Sequence, residues 1–138
     1  MSATIPIRSD VVEQLVAHAR RIPEQECCGL LAGRDGMITR ALPATNAASD
    51  PDTSYEIAPE ELFRLMRETR AAGLELLGIY HSHPQGATEP SERDIERAYY
   101  PDAAYFIISP RSDAARPVRA FSIRDRRATE LEIQVLPQ

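Results

Sequence analysis

The chain has 138 residues, 43% of them hydrophobic, and its 16 basic against 21 acidic side chains give a net charge of −5 and a pI of about 5.2. That length buries a core without disulfides or a structural metal, so a single domain over residues 1–138 is expected. The acidic balance speaks against nucleic-acid binding, which needs a basic patch, and no apolar run approaches the ~20 residues of a membrane span.

Met1 to Arg8 lacks the apolar core of a signal peptide, so a cytoplasmic location is expected. Every basic residue is arginine, which codon bias explains, and the chain therefore offers no lysine amine for isopeptide modification of itself. Ser9 or Asp10 is placed to cap a first helix, with Glu13 three residues after Asp10 in a capping-box arrangement. Val12, Leu15, Val16 and Ala19 follow helical spacing, and Pro23 ends the helix. Cys27 and Cys28 are adjacent, so on a strand their side chains point to opposite faces and cannot both ligate one metal. They read as two free thiols in a reducing compartment.

Cys28 to Ala32 predicts a buried strand, and Arg34-Asp35-Gly36-Met37 a turn into a return strand over Met37–Pro43. Asn46 to Ser54 is polar loop, and Tyr55-Glu56-Ile57 a short strand. A second helix starts at Pro59, where the missing N–H costs nothing, with Glu60 and Glu61 in its first turn. Leu62, Leu65, Met66 and Thr69 mark one face and Gly73 its end. Leu74–His81 is short and apolar, the pattern of a central strand buried on both faces. A third helix is expected from Ser91 to just before Pro101, followed by a buried strand over Ala103–Ser109. Val118–Ile123 and Leu131–Val135 predict a closing antiparallel pair around Arg126-Arg127. The order gives an α/β fold, a sheet with helices packed on it.

The chemistry concentrates in His81-Ser82-His83-Pro84, followed by Ser91 and Asp94. At the C-terminal end of a strand His81 and His83 emerge on one face, because the side-chain period is two, while Ser82 points away and Pro84 stops the pairing. With Asp94 they can supply three protein ligands to a zinc ion, the number that catalytic sites use when the fourth position is left for water. Such an ion keeps a net charge of about +1 and acidifies its water toward a pKa of ~7. Asp94 has a second explanation. Ser91-Glu92-Arg93-Asp94 has the form of a capping box, although positions i and i+3 share a helix face and both can look toward a metal. Glu89 and Glu92 are rival carboxylates. A hydrolase also needs a base, and spacing alone does not choose among Glu24, Glu26, Glu56 and Glu75.

Glu26-Cys27-Cys28-Gly29-Leu30-Leu31-Ala32-Gly33, His81-Ser82-His83-Pro84 and Ser91-Glu92-Arg93-Asp94 together resemble the JAMM (MPN+) metalloprotease motif: a Glu, then H-[ST]-H-P, seven residues, Ser, two residues, Asp. Every element stands at the motif's interval. The resemblance implies a mixed sheet flanked by helices with a cytidine-deaminase-like architecture. It implies that His81, His83 and Asp94 bind zinc, that Glu26 is the general base and then the general acid, and that Ser91 hydrogen-bonds the oxyanion. Deaminase chemistry itself is not expected, since the H-x-E and P-C-x-x-C signature is missing.

Members of that family cut peptide or isopeptide bonds after the Gly-Gly terminus of ubiquitin or its relatives. The short single-domain type implies a ubiquitin-like sulfur carrier as partner and release of cysteine from its tail, which could add beside the sheet as a strand. The short His83–Ser91 interval leaves little room for the insertion loops of eukaryotic deubiquitinases. The rival readings are a general or deubiquitinase-like peptidase, a non-catalytic MPN scaffold, which would typically lack ligands present here, and a relative of the DNA-repair-associated RadC proteins. The last would need a preceding helix-hairpin-helix region.

Overall fold

Seven strands and three helices form among residues 3–137, the part of the chain that the computed structural model describes. Met1, Ser2 and Gln138, included in the expected 1–138 boundary, lie outside the described residues. The first strand, β1 (Thr4–Arg8), had no clear signal in the sequence. Pro6 sits within it, and that is tolerated because β1 meets β3 at one register pair only, Ile7 with Ile38. The chain passes directly from β1 into α1 (Ser9–Arg21), which corrects the expected cap. Arg8 occupies the cap position with no side-chain bond, Ser9 is already helical, and the Asp10 carboxylate is taken by the Arg8 guanidinium at 2.8 Å.

β2 (Cys28–Arg34) and β3 (Met37–Ala44) form the predicted hairpin. Asp35 and Gly36 both take positive φ, 52° and 78°, the turn geometry that matches the twist of the strands. Tyr55-Glu56-Ile57 is not a strand. Its backbone is held instead by Asn46, whose Oδ1 accepts the Glu56 N–H at 3.2 Å, and by the Ala47 N–H bond to the Glu56 carbonyl at 2.7 Å. α2 (Pro59–Ala71) begins on its proline and buries Leu65 and Thr69. β4 (Glu75–Ser82) lies between β2, antiparallel to it, and β5 (Ala104–Ile108), parallel to it. That central position buries it from Gly78 onward.

α3 (Glu92–Glu96) is shorter than the sequence suggested. The Tyr100 N–H donates to the Tyr105 hydroxyl at 3.0 Å rather than to a carbonyl one turn earlier, and Pro101 follows. β6 (Val118–Arg124) and β7 (Arg127–Leu136) pair antiparallel as expected. β7 then runs parallel to β1 from Thr4–Glu132 to Arg8–Leu136, so the sheet closes in the order β1-β3-β2-β4-β5-β6-β7. The mixed sheet is as expected, and β1, which the sequence did not signal, is the strand that closes it.

Alternation along β2, β4 and β5 fills two cores. Leu31, Tyr80, Phe106 and Ile108 pack toward α1, whereas Leu30, Ile79, Tyr105 and Ile107 pack toward α2. By the same parity His81 belongs with Ile79 on the α2 side. The Tyr80 hydroxyl on the other side is 2.8 Å from Nδ1 of His18, whose pKa burial lowers, aided by the Arg21 charge. Both cysteines are free and buried, as expected, and burial pushes the Cys28 thiol up to about 12. Among the described residues no helix is long and apolar enough to cross a membrane.

Candidate metal centre

The β2–β4 register assembles the site. Cys28 pairs with His81, and the Ser82 N–H donates to the Cys27 carbonyl at 3.0 Å. Continuing that antiparallel ladder sets Glu26 opposite His83, on the face shared by His81. Ser82 points to the opposite face, where its Oγ accepts the Cys27 N–H at 2.8 Å and locks the two strand ends together.

The sequence-predicted ligands converge. Nε2 of His81 and Nε2 of His83 are 3.1 Å apart, and Oδ2 of Asp94 is 3.2 Å from the first and 3.1 Å from the second. His83 Nδ1 lies 2.7 Å from the Ala87 carbonyl oxygen, which only accepts, so Nδ1 carries the hydrogen and Nε2 of the neutral ring presents a lone pair. In that form the lone pair faces a carboxylate oxygen, a contact that a shared cation or a proton on Nε2 relieves. The three separations also match the edge of a tetrahedron with bonds of about 2.0 Å, which is roughly 3.3 Å. The donor set of two imidazoles and a carboxylate therefore fits zinc on its own geometry.

In the absence of a metal the three groups shift one another's protonation. Burial acts to raise the Asp94 carboxyl, but the bonds from His81 and His83 outweigh it and hold it well below the usual carboxylate range. Burial lowers His81, against the pull of Asp94. In His83 burial is outweighed by the Asp94 carboxylate, and its pKa rises.

Glu26 stands beside this triangle, its carboxylate oxygen within 4.8 Å of the imidazole nitrogens, so Glu26, His81 and His83 form a second conceivable ligand group. The 3.1–3.2 Å set is the one with coordination-sphere spacing. Glu26 is 6% exposed, and its buried Oε1 has no hydrogen-bond partner. Burial pushes its carboxyl up to about 7, against the opposing field of His83. An unpartnered oxygen with a value near neutrality is suited to holding and releasing a proton. Nδ1 of His81 is the other buried atom without a partner among the described residues.

Ser91 reconciles its two readings. Its Oγ accepts the Asp94 N–H at 3.1 Å while Asp94 Oδ2 accepts the Ser91 N–H at 2.9 Å, a complete capping box at the start of α3. The same Oδ2 is the one that meets both imidazoles. The cap aims the carboxylate, and the Ser91 hydroxyl hydrogen remains free to donate. Glu89 and Glu92, the rival carboxylates, are exposed.

Two residues of the site were not singled out in the sequence. Asn46 Nδ2 donates to the Glu26 and Ser54 carbonyls, both at 2.9 Å, and more weakly to Pro51 at 3.3 Å. It ties the backbone carrying Glu26 to the loop that follows β3. That loop delivers Tyr55, which stacks on the His81 ring with centroids 4.5 Å apart and 20° between planes. An asparagine just after a strand is a turn former, and this was its only signal.

Several known proteins are similar to this chain. A family model described as prokaryotic homologs of the JAB domain matches residues 8–124. A CysO-cysteine peptidase of Mycobacterium tuberculosis is 37% identical over 134 residues, which covers 96% of this chain and 91% of that protein. A desampylase of Haloferax volcanii is 36% identical over 115 residues, 79% of this chain and 83% of the relative. Among solved structures, a protein of Desulfitobacterium hafniense matches with a TM-score of 0.85 at 31% identity, covering 99% of this chain and 94% of its own.

Proposed function

The chain belongs to the prokaryotic JAB-domain family, and on that premise we propose that it is a zinc hydrolase of the JAMM type. It cleaves the peptide or isopeptide bond at the C-terminal Gly-Gly tail of a ubiquitin-like sulfur carrier and releases cysteine. The observation that carries this reading is the triangle of His81, His83 and Asp94 with the unpartnered Glu26 carboxylate beside it. The relatives named CysO-cysteine peptidase and desampylase support the substrate class.

His81 and His83 through Nε2, and Asp94 through Oδ2, would hold the zinc ion. When bound, zinc supplies the positive charge that acidifies water and polarises the scissile carbonyl. The Ala87 carbonyl keeps the lone pair of His83 turned to the centre. Glu26 takes a proton from the attacking water at Oε1 and returns it to the leaving amine. The Ser91 hydroxyl donates to the oxygen that becomes negative in the tetrahedral intermediate. Tyr55, packed over His81, keeps water from that side of the ring.

Incubation of the zinc-loaded protein with a carrier–cysteine adduct and with ubiquitin chains, followed by mass spectrometry, tests the assignment. Loss of the terminal cysteine is expected; an untouched adduct beside cut ubiquitin chains would show a deubiquitinase-like enzyme instead. Ser91→Ala is expected to lower kcat by ~10²–10³ with zinc retained, together with a loss of about 1 kcal/mol of stability from the missing cap. A stability loss with unchanged kcat would leave Ser91 as a cap alone.

A further inference from the structure

A cavity of about 340 Å³ opens beside the metal centre. Leu30, Ile57, Leu62 and Ile79 give it an apolar floor, and Tyr55 and Asp94 join it to the site. Arg93 and Arg97 form one wall. They stand one helical turn apart, with the Arg97 N–H donating to the Arg93 carbonyl at 3.0 Å. Neither guanidinium makes an ion pair among the described residues. Of the two acidic residues that line the cavity, Asp94 is committed to the imidazoles, so Glu56 alone stands against two arginines and the lining keeps a positive excess.

From this arrangement, and resting on the proposed cleavage after Gly-Gly, we propose that the cavity selects the substrate tail. It receives an apolar side chain preceding the two glycines, and Arg93 and Arg97 favour acidic residues flanking that side chain and disfavour basic ones. Three observations place the tail here. The cavity exceeds what one released amino acid would fill and lies within the range of small-ligand pockets, ~300–1,000 Å³. An extended chain rises about 3.3 Å per residue, so two glycines bring the preceding residue roughly 7 Å from the scissile carbonyl, within reach of a cavity that begins at Asp94. Glu26, which returns a proton to the leaving amine, does not line the cavity, so the leaving group lies on the other side of the centre and the acyl side faces this one.

Fluorescence anisotropy with short labelled product peptides tests the inference on the zinc-loaded full chain. The peptides end in Gly-Gly and carry a leucine flanked by either Asp or Arg. The Asp peptide is expected to bind about three- to tenfold more tightly, the range of a few exposed ion pairs, with the difference shrinking as salt is added. In the Arg93→Glu/Arg97→Glu protein the order should invert, and in Arg93→Gln/Arg97→Gln it should vanish. Both arginines are exposed, and an unchanged Tm shows that the fold is kept. A third peptide with Ala for Leu should bind several-fold more weakly. Equal binding of the Asp and Arg peptides, or a preference that survives in both variants, overturns the charge selection; equal binding of the Ala peptide overturns the apolar subsite. These results stand apart from the cleavage assay: a protein that cuts nothing refutes the hydrolase reading, whereas one that cuts Asp and Arg tails alike refutes this inference only.

Discussion

Replacing His83 with alanine is expected to empty the centre of zinc and reduce hydrolysis to background. Nε2 of His81, Nε2 of His83 and Oδ2 of Asp94 sit 3.1–3.2 Å apart, the spacing of atoms that would share one cation. Removing one imidazole leaves His81 and Asp94, too few for a catalytic site, where three protein ligands are the rule. Loss of a group that merely orients a ligand already costs about 10- to 100-fold in metal affinity, so loss of the ligand itself should cost more. Metal analysis after dialysis reads the outcome as near-stoichiometric zinc in the parent and little in the variant. The fold should survive. The strand ends remain tied by the Ser82–Cys27 bonds, and the barrel closes at β1 and β7, which contribute no residue to the centre. Stoichiometric zinc in the His83→Ala protein would refute the assigned ligand set.

How much of this was legible in the sequence depended on the range of each interaction. The pair His81 and His83 follows from the two-residue period of a strand, and Ser91 with Asp94 from one helical turn; both are local rules, and both hold in the structure. The capping box and the inward-facing Asp94 looked like competing explanations, yet one oxygen serves both. Glu26 was beyond local rules. Its place is set by a strand register joining Cys27 to Ser82, 55 residues apart, and four glutamates were indistinguishable until the resemblance chose one. The closure of the sheet was hidden for a similar reason, since β1 is five residues long and pairs with β7 at the other end of the chain. Tyr55 was misread as a strand residue because its β-prone side chain serves another end, covering His81 from a loop pinned by Asn46.

Glu26→Gln is expected to keep zinc and lose turnover, separating the base from the ligands. The amide is nearly isosteric with the carboxylate, so the packing around this buried side chain is retained, but Gln cannot take up a proton at the pH of the reaction. General-base removal costs about 10²–10⁴ in rate, and kcat should fall by at least that much with metal content unchanged. The pH profile gives a second reading. Without metal, burial holds the Glu26 carboxyl at about 7; a cation beside it favours the ionised form and moves that value down. Since the base acts deprotonated, kcat/KM of the parent should fall on the acid side, with its limb below pH 7, and the residual rate of the variant should lack that limb. The same carboxyl affects folding in the metal-free protein. Its folded value lies above the ordinary 4.5, so the native state binds the extra proton between the two values and stability declines as pH rises through that window. The variant, with nothing to ionise, should lose less stability than the parent between about pH 4.5 and 7, and an identical decline in both would show that the Glu26 carboxyl is not the group titrating there.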